Sequence, residues 1–170
     1  RDTTGGQGRA AYLWAMYVVW YKRDLRVQDH APLAAVPAGA PVIPLYVIEP
    51  DYWALRDTSG RQWAFTRDCL AGLDRDLHDL GVPLLVKVGD VVETLDQLRL
   101  HFGVSDVIAH EETGNAWTFA RDRRVAEWAR GQGVRFSEYA GSGVVRRLGS
   151  RNGWARARDE RIFGAMVPVP

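Results

Sequence analysis

A single cysteine, Cys69, in a chain of 170 residues excludes an internal disulfide and a cysteine-based zinc centre, and fits a reducing cytoplasm. Charge of neither sign dominates. Lys and Arg total 22 against 21 for Asp and Glu, a formal net charge of +1, so any basic surface for nucleic acid has to be local. The uncharged run 10–21 follows Arg1 and Arg9 in the manner of a signal peptide. It is too short to cross a bilayer and runs into Trp20-Tyr21-Lys22 instead of a cleavage site, so no membrane association is expected. There is no G-x-x-x-x-G-K-[ST] phosphate loop and no G-x-S-x-G elbow. Gly141-Ser142-Gly143 resembles half of a dinucleotide fingerprint, but Arg146 stands where the third glycine belongs. The histidines, His30, His78, His101 and His110, are scattered along the sequence, and no metal site is expected. No repeat or low-complexity stretch occurs.

What is present is alternation. Apolar runs at 17–20, 42–48, 83–88, 106–109 and 134–139 read as strands. Between them lie amphipathic patterns with start signals: Asp29 before a short helix at 30–35, Ser59 with Gln62, Asp90 with Glu93, and Asn115 before a helix at 116–130. Gly81, Gly103, Gly131 and Gly133 supply the stops. Residues 52–58 read as a loop, and 154–162 as a short helix. Pro44 in the second strand marks a start, a bulge or an edge-proximal position. Five strand-to-helix alternations predict an α/β fold. It is a doubly wound, Rossmann-like, five-stranded parallel sheet of order 3-2-1-4-5 in a three-layer α/β/α arrangement. Residues 1–15 read as a leader or as sequence upstream of a natural start at Met16. Residues 16–140 form the α/β domain, and 141–170 form a basic tail and linker.

In that topology the first and fourth strands lie side by side, and ligands bind outside their C-terminal ends. Charge breaks out at those ends. The first strand delivers Lys22, Arg23, Asp24, Leu25 and Arg26; the second Ile48 and Glu49; the third Gly89 and Asp90; the fourth Glu111, Glu112, Thr113 and Asn115. Gly89 lets backbone approach a ligand closely, and the helix starts after Asp90 and Asn115 offer amides. Carboxylates beside hydroxyl and amide groups suit the edge of a heterocycle, and the cations suit a phosphate or a glutamyl tail. No nucleophile sits beside a base. The set reads as a binder of a planar or nucleotide-like molecule, with catalytic residues none. Arg23, Asp24 and Arg26 also fit a structural ion-pair knot, and Glu111 and Glu112 fit solvated surface acids.

Val19-Trp20-Tyr21-Lys22-Arg23-Asp24-Leu25-Arg26-Val27-Gln28-Asp29-His30 resembles the N-terminal signature of the DNA photolyase/cryptochrome family. Val47-Ile48-Glu49-Pro50, Leu85-Val86-Lys87-Val88-Gly89-Asp90 and the Arg121-Asp122 pair extend the resemblance over 16–139. It implies a light-harvesting N-terminal domain that holds an antenna chromophore: FMN, a deazaflavin, a ribityl lumazine or a folate. A helical domain following in cis would bind FAD and, in photolyases, repair damaged DNA as a deoxyribodipyrimidine photo-lyase. That domain lies outside this sequence, so the present chain is not expected to be an enzyme by itself. Where folate-binding members carry an acid after the fourth strand, Asn115 stands here, so folate is not supported over a flavin or deazaflavin. One alternative is a stand-alone nucleotide-binding or sensing module. Another is a nucleic-acid contact through Arg146, Arg147, Arg151, Arg156, Arg158 and Arg161 of the tail.

Overall fold

The computed structural model describes residues 15–146 and 149–170. The reading of 1–15 as a leader, apart from Ala15, lies outside the described residues. Five parallel strands form one sheet of order β3-β2-β1-β4-β5. They are β1 (Met16–Tyr21), β2 (Val42–Ile48), β3 (Leu85–Val88), β4 (Val104–His110) and β5 (Arg135–Tyr139). The helices are α1 (Ala31–Ala34), α2 (Pro50–Trp53), α3 (Gly60–Asp79), α4 (Val91–Phe102), α5 (Ala116–Gln132) and α6 (Trp154–Ile162).

Both faces of β1 are buried, and its side chains alternate between two cores. Val18 and Trp20 pack with Leu95, Leu98, Val125 and Ala129, the apolar stripes of α4 and α5. Val19 and Tyr21 pack on the other side with Leu33 of α1 and Leu70, Leu73 and Leu77 of α3. Each fully buried leucine in these stripes contributes about 1.5–3 kcal/mol. Pro44 pairs with Val19 on one side, and pairing to β3 begins only at Leu45. Its missing N–H therefore falls where β2 is locally an edge. β3 is one of the two sheet edges, with Val86 and Val88 exposed.

Three helix starts follow their expected caps. Ser59 Oγ accepts from the Gln62 amide, Asp90 Oδ1 from Val92 and Glu93, and Asn115 Oδ1 from Thr118. The amides after Asp90 and Asn115, expected to face a ligand, are therefore engaged by their own caps. Asp29 does not cap α1. It takes a positive φ of 48°, and the cap is His30, whose Nδ1 accepts from the Leu33 amide at 3.0 Å. Residues 52–58 are not entirely loop, because Pro50 opens α2 from the helix-compatible N1 position. Gly131 lies inside α5, which stops at Gly133 with φ 68°.

The tail returns to the sheet. Arg161 lies 3.4 Å from Glu111, just after β4, and the Val167 amide donates to Asp29 Oδ1 at 3.0 Å. Four of its arginines are paired. Arg146 lies on Glu111 and Glu138, Arg156 on Glu160, Arg158 on Asp159 and Arg161 on Glu111. Much of the basic character that suggested phosphate contacts is spent on neighbouring acids. No helix among the described residues is long and apolar enough to cross a membrane.

Candidate functional site

Two charge systems occupy the C-terminal ends of β1 and β4. The first is centred on Asp24, in the turn directly after β1. Its Oδ1 accepts from the amides of Lys22 and Arg23 at 3.0 and 3.1 Å. Its Oδ2 meets His30 Nε2 at 2.7 Å and His110 Nδ1 at 2.5 Å. Burial alone would raise the Asp24 carboxyl. The hydrogen bonds from His110, His30 and the Lys22 amide instead hold it far below the usual carboxylate range. The expected knot of Arg23, Asp24 and Arg26 does not form. Asp24 is held by histidines, and Arg26 donates to the carbonyls of Gln28 and Asp29.

The pairing of His30 with His110 corrects their reading as scattered. Asp24, His30 and His110 bring ligand-type atoms within 4.8 Å of one another, the residue types of a metal site. Hydrogen-bond direction argues against that use. His30 Nδ1 accepts from a backbone amide, so its Nε2 carries the proton and points it at Asp24. Neither ring nitrogen of His30 offers a free lone pair.

The second system is a buried ion cluster. Arg121, on α5, reaches Glu49 at 3.0 Å, Glu112 at 3.1 Å and Asp122 at 2.9 Å. Lys22 meets the other oxygen of Asp122 at 2.7 Å. Arg121 and Lys22 lie 4.8 and 4.7 Å from the Trp20 ring centroid. Burial alone would lower the Arg121 guanidinium, but Asp122 and Glu49 hold it above its usual value. Three buried carboxylates thus face two buried cations. The shortfall falls on Glu49, whose carboxyl burial pushes up to about 7 against the pull of Arg121. Glu112 is buried, not solvated; Glu111 is half-buried on Arg146 and Arg161.

Glu49 has a consequence for acid–base behaviour. Its folded value of about 7 lies above the unfolded 4.5. Its proton therefore stabilises the native state fully below about pH 4.5, and that contribution is lost as pH rises through about 7. Glu49→Gln is expected to remove this loss, so the gap in urea midpoint between variant and parent shifts in the variant's favour from pH 5.5 to pH 8. A constant gap would show Glu49 ionised throughout.

Between the β1 and β2 ends and α3 opens a cleft of about 500 Å³. Tyr46, Tyr52, Trp53 and Phe65 give it aromatic walls; Glu49, Glu112 and Arg121 form its polar end; Arg23 and Arg26 line it as well. Of the residues expected from sequence, Lys22, Arg23, Leu25, Arg26, Glu49 and Glu112 meet here. Asp24, Glu111 and Thr113 line an adjoining hollow of about 170 Å³ with His110, Gly141 and Ser142, and Lys22, Arg23, Arg26 and Glu112 border both. Ile48 lies in another hollow with Trp53 and Trp63, Asn115 donates to Asp57 at 2.8 Å, and Asp90 pairs with Arg124 at 2.8 Å. Sequence reasoning missed Arg121 and Asp122 as site residues, and with them the α3 wall: Phe65, Thr66 and Cys69. Cys69 is half-buried in that wall.

Gly114 allows the loop after β4 to lie against Arg23. A Cβ there would stand 2.6 Å from the Arg23 guanidinium, 2.7 Å from Thr118 Oγ1 and 2.9 Å from Glu112 Oε1. Gly114→Ala is expected to cost about 1–3 kcal/mol in chemical denaturation through this overpacking. A neutral result would show that the loop gives way freely.

Comparison with known proteins places this geometry in context. A family model described as DNA photolyase matches residues 17–151. A deoxyribodipyrimidine photo-lyase from Salmonella typhimurium is 42% identical over 86 residues, covering 49% of this chain and 18% of that protein. A cryptochrome DASH from Natronomonas pharaonis is 37% identical over 98 residues, covering 54% and 21%. The crystal structure of a bacterial class III photolyase from Agrobacterium tumefaciens superposes with a TM-score of 0.73 at 26% identity, covering 86% of this chain and 30% of that one. The chain spans about a fifth of the length of the curated relatives it matches.

Proposed function

The chain belongs to the DNA photolyase family, and on that premise we propose that its cleft holds a planar antenna chromophore of the flavin or deazaflavin kind. The observation that carries this is the cleft itself. Aromatic rings flank a slot at the carboxyl ends of β1 and β2, polar groups close one end, and two arginines line it. The bound group would absorb visible light and pass its excitation to an FAD elsewhere in the longer protein. The residues of this chain would bind and orient it. Tyr52 and Trp53 would pack against the ring system. Arg23 and Arg26 would hold an anionic tail; among the described residues Arg26 has only backbone carbonyls as partners, and Arg23 is 3.7 Å from Glu112. Glu49, near its midpoint at neutral pH, would either give or take a hydrogen bond at the ring edge. Light-driven DNA repair or blue-light sensing, with FAD and damaged DNA as partners, would belong to the longer protein.

Asn115 does not favour folate, since its side chain is spent on the Thr118 amide and on Asp57. The family assignment also weighs against a stand-alone nucleotide module. The test is reconstitution of the chain with FMN, riboflavin, a deazaflavin and a folate, followed by gel filtration. Visible absorbance should travel with the protein for a flavin-type molecule. Retention of none, together with calorimetric binding of ATP or AMP, would replace this reading with the nucleotide one.

A further inference from the structure

Tyr21 closes β1, and its ring is 1% exposed. It stacks on His30 with centroids 4.6 Å apart and planes at 30°. Its hydroxyl is buried without a hydrogen-bond partner among the described residues, the only side-chain polar atom there of which this is true. Leaving such a group unpaired costs about 1–3 kcal/mol, and packing alone would be served by phenylalanine. The nearby groups cannot satisfy it. Both oxygens of Asp24 already accept two donors each, and Arg26, with donors only, has nothing to accept the hydroxyl proton. Burial, reinforced by the Asp24 charge, pushes the phenol well above its usual range despite Arg26. The hydroxyl therefore stays protonated and remains a donor. Tyr21 lines the same cleft as Arg23 and Arg26.

We propose that the Tyr21 hydroxyl donates a hydrogen bond to a carbonyl, hydroxyl or phosphate oxygen of the molecule in the cleft, and is a specificity-determining residue of that site. The inference rests on the cleft being a ligand site, and it adds a chemical demand: an acceptor oxygen must reach the base of the cleft beside β1. A ligand presenting only C–H or N–H groups there would leave the donor unmet and be rejected.

Tyr21→Phe keeps the ring and removes the single atom. Two readouts move in opposite directions. Without ligand, the variant should melt at the same temperature as the parent or higher, because an unpaired buried hydroxyl is gone. With ligand, the dissociation constant for FMN, read by flavin fluorescence, should rise roughly tenfold. Riboflavin run in parallel locates the acceptor: a loss confined to FMN assigns it to the phosphate, and an equal loss for both assigns it to the ring or ribityl chain. A parent that binds FMN while Tyr21→Phe binds it equally well would overturn the inference, the hydroxyl being idle or satisfied by water. A variant that melts much lower would also overturn it, since the hydroxyl would then serve the fold. A parent that binds no flavin-type probe is a different result, which removes the cleft reading and this inference with it.

Discussion

Asp24→Asn is expected to destabilise the chain by about 3–5 kcal/mol, the range for breaking a buried charged network by removing one partner. One carboxylate ties together three parts of the fold. It fixes the turn after β1 through two amides, the N-terminus of α1 through His30, and the end of β4 through His110. Asparagine keeps one oxygen but turns an NH₂ toward ring N–H groups that are themselves donors. At least one of them loses its acceptor inside the protein. The pH dependence should change as well. The folded Asp24 carboxyl lies below its unfolded value of 3.8, so its contribution is present above that value and is lost as pH falls through it toward the folded one. His30 acts in the same direction. Burial lowers it from 6.5 despite Asp24, so acidification below about 6.5 favours the unfolded chain, which takes up the proton more readily. Between about pH 6.5 and 4.5 the loss from His30 opposes the gain from Glu49 protonation; below that window wild-type stability should fall, and the part due to Asp24 should be absent in the variant. Urea midpoints at several pH values read this. A variant within experimental error of the parent at pH 7, with an unchanged acid profile, would show that Asp24 is not the hub.

The sheet order was legible because two periodicities carry it. Strands such as 42–48 are short apolar runs closed by Glu49-Pro50. Helices such as α4 place Val91, Leu95 and Leu98 at helical spacing between Asp90 and Gly103. Strand adjacency then follows from right-handed crossovers, which brought the residues after β1 and β4 together. Partner choice within the site was not legible. Asp24 is as close in sequence to Arg23 and Arg26 as a charge can be, yet its side chain points to His110, 86 positions away. Proximity along the chain says nothing about which face a turn presents. One signal was available for His30: Pro32 prefers the first turn of a helix, which places the cap at His30 or Ala31 rather than Asp29. A second was available for Arg121, which sits four residues from both Trp117 and Val125 on α5. A charge inside an apolar stripe marks a buried, partnered group. The α3 wall of the cleft had no such signal. Thr66 falls in line with Leu70, Leu73 and Leu77 at helical spacing and so reads as core, while Phe65 and Cys69 lie to one side of that stripe, and only the tertiary fold turns the three toward the ligand side.

Arg121→Met should be the other severe change, about 3–5 kcal/mol destabilising near neutral pH. Methionine preserves length and flexibility and fills the space over Trp20, so the loss isolates the charge. Glu49 would then be buried with no close cation, since Lys22 reaches only Asp122, and Glu112 would keep only the longer pair with Arg23 at 3.7 Å. The stacking of the guanidinium on Trp20 and its approach to Trp117 at 5.7 Å would be lost too, adding about 0.5–2 kcal/mol. Arg121→Lys should recover only part of the stability, because a point charge cannot span the positions that the planar fork reaches at 2.9–3.1 Å. The deficit should shrink at pH 5.5, where Glu49 takes up a proton, and Glu49→Gln placed on Arg121→Met should recover stability that Glu49→Gln does not give the parent. Denaturant titrations of the single and double variants at pH 5.5 and 8 measure that coupling. Additive effects would mean that Arg121 and Glu49 do not share one charge balance, and the cluster would then be a set of independent pairs rather than the tuned polar end of the cleft.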